Sequence, residues 1–170
     1  AVLDFFLLAG DDIYNDLIGT NFVRAYERLN HWLQSNWKYQ AKKNISYHYD
    51  LGNQFYKEWL DKTMTYSSAL FKNKKEVLSS AQTNKYESIC KNLNLKEGDK
   101  VLEIGCGWGG FAEHAIKTRG INLTGLTLSK EQLNYSKKRM FELGMADKSS
   151  FLLQDYRDEK GLYDGVVSIE

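Results

Sequence analysis

The chain has 170 residues, 42% hydrophobic and 26% charged, with a formal charge of +1, a balance that suits one sizeable folded core and argues against a nucleic acid as main partner. No apolar run reaches the roughly 18 residues of a membrane span, and the two cysteines, Cys90 and Cys106, lack metal-ligand spacing. Thiols of this kind, with no signal peptide ahead of them, are expected of a protein in a reducing cytoplasm.

From Asp11 to about Trp37, residues Ile13, Leu17, Ile18, Phe22, Tyr26, Leu29 and Leu33 recur at three- and four-residue steps, which predicts one amphipathic helix or a pair. Trp32 and Trp37 stand beside Arg24, Arg28, Lys38, Lys42 and Lys43, so this stripe suits either a core helix or one lying in a bilayer interface. Residues 45–75 read as irregular and rich in rings, with Tyr47, Tyr49, Phe55, Tyr56, Trp59, Tyr66 and Phe71 building a small core or an apolar pocket.

An α/β rhythm follows. A helix over Val77 to Leu93 leads through Gly98 and Asp99 to a strand at Val101 to Ile104. Next come a helix from Phe111 to Thr118, a strand from Ile121 to Leu126, and a helix opened by Ser129 and closed at Gly144. Ser129 with Gln132 three residues on is the pattern of a capping box. Strands at Ser150 to Leu153 and Tyr163 to Ile169 complete a parallel sheet expected to be covered on both faces, with ligands at its carboxyl ends. The chain starts at Ala1 and stops at Glu170, beside the fourth strand, as expected of a piece of a longer protein.

The most informative stretch is VLEIGCGWGGF, residues 101–111. Glycines 105, 107, 109 and 110 free a strand-to-helix turn of Cβ atoms, so that its backbone can approach a ligand at the positive end of the next helix. Glu103, at the strand end, would repel a pyrophosphate. It suits a cofactor carrying an ammonium, ribose hydroxyls and a sulfonium, which favours S-adenosylmethionine over a nicotinamide dinucleotide.

Five segments, NISYHYDLGNQFYKEWLD (44–61), MTYSSALF (64–71), VLEIGCGWGG (101–110), GLTLSKEQ (125–132) and LLQDYRD (152–158), stand in an order and near-spacing that resemble the cyclopropane fatty acid synthase family. The resemblance covers residues 44–170. It implies the Rossmann-like sheet of class I methyltransferases, with its first four strands present and an N-terminal helical extension. The expected divisions are a helical segment over 1–43, an aromatic cap and substrate-pocket segment over 44–93, and the first half of the methyltransferase core over 94–170.

Such enzymes move the methyl of S-adenosylmethionine onto a cis double bond of an acyl chain and then remove a proton to close a three-membered ring. An alkene needs no activated nucleophile, so the work falls on orientation, exclusion of water and stabilisation of a carbocation. Aromatic faces suit the last task. Tyr49 is the first candidate for it, and His48 adjoins the same pocket. Similarity sets Tyr66 and Ser67 against the methionine end of the cofactor, Gly105, Cys106 and Gly107 beneath it, and Thr127, Leu128, Ser129 and Gln132 at its ribose. Tyr156 and Arg157 fall at the adenine edge, with Asp155 as an alternative acceptor for the adenine amino group. For Gln132 a pure capping role stays open, as does a packing role for Cys106. The resemblance also implies a bicarbonate ion beside Ser68 and the main chain of Ile169, with further side chains expected past Glu170. Many members carry cysteine where this chain has Ser68. The expected partner is the unsaturated acyl chain of phospholipids, met at the inner face of the membrane by a cytoplasmic, peripheral protein that could pair as a homodimer. Two alternatives remain: a methyltransferase that leaves a methyl branch or uses another acceptor, and a non-catalytic lipid-binding fragment.

Overall fold

Four parallel strands organise residues 52–169, the part of the chain that this computed structural model describes. In chain order the elements are α1 (Asn53–Lys57), α2 (Leu78–Asn92), β1 (Lys100–Ile104), α3 (Gly110–Arg119), β2 (Asn122–Thr127), α4 (Lys130–Glu142), β3 (Ser149–Leu153) and β4 (Gly165–Ser168). The strand order is β3-β2-β1-β4, all parallel, with Ile104 opposite both Leu126 and Ser168. The chain steps from β1 through β2 to β3 on one side and returns to add β4 on the other. The carboxyl ends of β1 and β4 therefore form the point where the order reverses, which is where open α/β sheets bind ligands.

Local chemistry accounts for the ends of the elements. Ser129 caps α4, its Oγ accepting the Gln132 N–H at 3.3 Å. Gly109 precedes α3 and Gly120 follows it, both in the left-handed conformation that side chains disfavour. Val101, Leu102 and Glu103 are buried in succession, so β1 is covered on both faces. β3 and β4 instead alternate, with Phe151 and Val167 inside and Leu152 and Val166 exposed. Cover on both faces, expected of the whole sheet, thus holds at its centre and not at these outer strands. The physical reason lies in the β3–β4 link, which contains only the 3-10 turn Tyr156–Asp158 and no crossover helix to pack there.

The main core joins Tyr86 and Cys90 of α2 to Phe111 and Ile116 of α3, Leu123 of β2 and Met140 of α4. A second, smaller cluster of Tyr56, Met64 and Trp108, flanked by Leu60 and Tyr135, lies beside the turn after β1. It contains the short helix α1, in a stretch expected to be irregular throughout. The amphipathic stripe of residues 11–37, together with His48 and Tyr49, lies outside the described residues.

Candidate functional site

The glycine turn after β1 is tied to several neighbouring elements. The N–H groups of Gly105 and Cys106 both donate to the Leu126 carbonyl, at 3.0 and 2.9 Å, which ties the turn to β2. Ser136 Oγ of α4 donates to the Gly107 carbonyl at 3.1 Å. Arg139, one turn later, donates to the Trp108 carbonyl at 3.2 Å and the Thr63 carbonyl at 2.9 Å, and its guanidinium meets the Glu113 carboxylate of α3 at 2.6 Å. The Trp108 indole N–H donates to Asn53 Oδ1 at 2.6 Å, and Asn53 Nδ2 donates to Glu131 at 3.1 Å. Asn53 therefore pins α1 to the turn and to the start of α4.

The four glycines divide by what surrounds them. A Cβ on Gly110 would lie 2.6 Å from Tyr86 Oη, and one on Gly109 would press on Ser136, so these two are small for packing. Gly105 and Gly107 have positive φ, and a Cβ on either meets nothing within 4 Å among the described residues other than its chain neighbours. Their Cα faces are the open side of the turn. Cys106 between them is buried, and burial holds its thiol well above the ordinary range. Its Cβ would lie 3.0 Å from a Cβ on Gly125. Its surroundings are those of a thiol packed into the core.

Glu103 lies near the end of β1, two residues before the first glycine of the turn. It is 3% exposed, and among the described residues its Oε2 has no hydrogen-bond partner. Burial pushes its carboxyl up to about 8, with the Arg139 charge pulling the other way. A carboxyl kept dry in this way holds its proton near neutral pH and gives it up when a cation arrives to pair with the carboxylate.

At the end of β2, Thr127 Oγ1 donates to Gln132 Oε1 at 2.8 Å and accepts the Ser129 N–H at 3.1 Å. The capping box expected of Ser129 and Gln132 is therefore closed through an inserted threonine hydroxyl. Leu128, half-buried, forms the bend between them. After β3, the Arg157 guanidinium grips both carboxylate oxygens of Asp155, at 2.8 and 2.6 Å, and lies 5.9 Å from the centre of the exposed Tyr156 ring. Asp155 is thus occupied by a cation of its own chain. Ile169 follows Ser168, so its main chain emerges beside the start of the glycine turn, while its side chain packs on the main core.

The Tyr66–Ser68 segment approaches from the N-terminal side. The Tyr66 ring, half exposed, stands 5.2 Å from Trp59 and 5.9 Å from Tyr56. Ser67 Oγ and the Ser68 carbonyl both accept from Lys85 Nζ of α2, at 2.5 and 2.8 Å.

With this geometry in view, the comparisons agree with one another. The profile of the mycolic acid cyclopropane synthetase family matches residues 36–170. The chain belongs to this family. A probable fatty acid methyltransferase of Pseudomonas putida is 44% identical over 127 residues, covering 74% of this chain and 32% of that protein. The cyclopropane-fatty-acyl-phospholipid synthase of Escherichia coli K12 is 42% identical over 122 residues, covering 72% and 31%. The crystal structure of the mycolic acid cyclopropane synthase CmaA1, complexed with SAH and CTAB, superposes with a TM-score of 0.72 at 34% identity, covering 75% of this chain and 45% of that one. The chain thus spans about a third of the length of these curated relatives.

Within the family framework, Ser136, Arg139 and Lys85 are contacts that the sequence reading missed. A signal existed for the first two: Ser129, Gln132, Ser136 and Arg139 recur at three- and four-residue steps, a polar stripe on a helix that faces inward. Polar residues at core spacing mark a helix that serves a loop. Lys85 gave no such signal, since its partners lie in an irregular segment 17 and 18 residues away.

Proposed function

We propose that residues 52–169 form the cofactor-binding part of an enzyme that transfers the methyl group of S-adenosylmethionine to the cis double bond of unsaturated phospholipid acyl chains and closes a cyclopropane ring. The observation that carries this reading is Glu103, a buried carboxyl with an unpartnered oxygen beneath a turn whose two central glycines leave open space. That donor set fits S-adenosylmethionine: a cationic ligand satisfies the orphaned oxygen, and the bare Gly105 and Gly107 backbone admits its bulk. The cofactor would rest on Gly105, Cys106 and Gly107, with Glu103 toward its positive groups, Gln132 toward its ribose and Tyr66 toward its methionine end. When bound it supplies an electrophilic methyl group.

The chain's own residues then have three tasks. Arg139, Ser136 and Asn53 keep the turn fixed, so that orientation is set before the substrate arrives. The Phe55, Trp59 and Tyr66 rings, each about half exposed, offer apolar faces to an acyl chain and π-faces to a developing cation. Ser68 and the Ile169 main chain would hold the bicarbonate that serves as proton acceptor, in a neighbourhood made favourable to an anion by the Lys85 ammonium at the Ser68 carbonyl. Tyr49 and His48 would complete the pocket, and the 1–43 segment would carry the protein to the inner face of the membrane. The decisive assay incubates the full-length protein with unsaturated phospholipid vesicles and methyl-labelled cofactor and resolves the products by proton NMR. Cyclopropane ring protons are the expected result. A methyl branch instead would favour the second reading, suggested by the Pseudomonas putida relative, and absence of label in lipid would sink both.

A further inference from the structure

One face of α2 is laced to the loop that carries Tyr66. Tyr86 shares a short hydrogen bond with the Thr65 hydroxyl. Gln82 Nε2 donates to the Ser67 carbonyl at 2.8 Å, Lys85 Nζ donates to Ser67 Oγ and the Ser68 carbonyl, and Asn84 Nδ2 donates to the Leu70 carbonyl at 3.2 Å. The loop itself is under strain, because Met64 is buried with φ +54°, a conformation that non-glycine residues disfavour. Two of the lacing side chains are held at a cost. Gln82 is 1% exposed, and among the described residues its Oε1 has no partner. Lys85 is half-buried beside Tyr86, its ammonium 5.3 Å from that ring. A strained loop fixed by two costly polar groups, Gln82 on Ser67 and Lys85 on both Ser67 and Ser68, is built for position and not for stability.

We propose that Lys85, with Gln82 one turn before it, is a positioning residue that fixes the Tyr66–Ser68 segment for methyl transfer. This rests on the methyltransferase reading above. The ammonium acts through three donors, two of them committed to Ser67 and Ser68, and its removal loosens the segment, leaving the Gln82 side chain to hold the Ser67 carbonyl. Burial lowers the Lys85 amine to about 8, opposed by the Asp61 carboxylate that faces it from the loop. Tyr86, the other titratable neighbour, is pushed far above its ordinary value by burial and stays neutral. The clamp is therefore charged below pH 8 and loses its charge as pH rises through that value.

The test uses the full-length protein at saturating S-adenosylmethionine, so that ionisation of Glu103 does not enter. Wild type should lose part of its methyl transfer as pH rises through about 8, where the amine keeps two N–H donors but gives up the charge that strengthens both bonds, a result that requires no variant to fold. Lys85→Met should lower kcat about tenfold to a hundredfold, speed amide exchange over residues 64–70, and abolish the alkaline limb. Lys85→Arg should restore both kcat and protection and carry the limb to higher pH, because a guanidinium stays charged. Faster exchange in Lys85→Met with unchanged kcat would reduce Lys85 to a structural contact and overturn the proposal, as would an unchanged variant in both measurements. Wild type that methylates no lipid at any pH would instead bring down the underlying reading, and this proposal with it.

Discussion

Glu103 carries a cost that a strand residue need not bear. Its carboxyl is raised from 4.5 to about 8, chiefly by burial and in spite of Arg139. Between those two values the folded chain holds a proton that the unfolded chain has released, so stability falls as pH rises across that window, by about 1.4 kcal/mol per pH unit. Glu103→Gln removes the penalty and keeps the shape. The variant should melt higher than wild type at pH 8 and no higher at pH 4, while its affinity for S-adenosylmethionine drops by at least about tenfold through loss of the anionic oxygen. Calorimetry in buffers of different ionisation enthalpy supplies a second check, since binding of a cation below pH 8 should release a proton from Glu103. A variant no more stable than wild type at pH 8 would mean that the carboxyl is not paying for burial. The place of Glu103 near the end of a buried strand was legible in the sequence because that signal is local: an acid in an apolar run, two residues before the first glycine.

At the scale of elements, α4 does more than cover the sheet. Its buried polar residues Ser129, Gln132 and Ser136, with Arg139 beyond them, touch the end of β2, the glycine turn, the Thr63 carbonyl and α3. The ends of α4 were readable, because Ser129 and Gly144 are cap residues whose chemistry acts within one turn. Its tertiary partners were not. Arg139 and the Thr63 carbonyl are 76 residues apart, and Asn53 and the Trp108 indole 55, separations at which periodicity carries no information. Helix α1 escaped for the opposite reason, since five residues are too few to establish a period. Arg139→Met should destabilise the fold by about 3–5 kcal/mol, because it strands the Glu113 carboxylate and two main-chain carbonyls. Urea denaturation measures this. A loss below about 1 kcal/mol would reclassify the ion pair as an ordinary surface contact.

For the whole molecule, the α/β order and the parallel sheet followed from alternating patterns, whereas the uneven cover of the sheet did not, because it depends on a β3–β4 link that forms a 3-10 turn in place of a helix. The same global arrangement brings Gly105 and Gly107 to the point where strand order reverses, with Glu103 below them and Ser168 alongside. If that place is the cofactor site, ligand binding must stabilise the entire fold. S-adenosylhomocysteine at 100 times its dissociation constant should add about 2.7 kcal/mol, which in a domain of this size raises the melting temperature by roughly 5–10 °C. Gly107 tests the location. Its φ of +52° means that any side chain there is strained, so Gly107→Ala and Gly107→Val should each melt lower than wild type without ligand. The two variants part company when ligand is added. Among the described residues, none beyond its two chain neighbours lies within 4 Å of the added Cβ, and the branched valine alone fills the space that the ligand must enter. Gly107→Ala should retain part of the thermal shift and Gly107→Val none of it. A full shift in Gly107→Val would move the cofactor away from this turn and leave the buried Glu103 carboxyl without the cation that explains it.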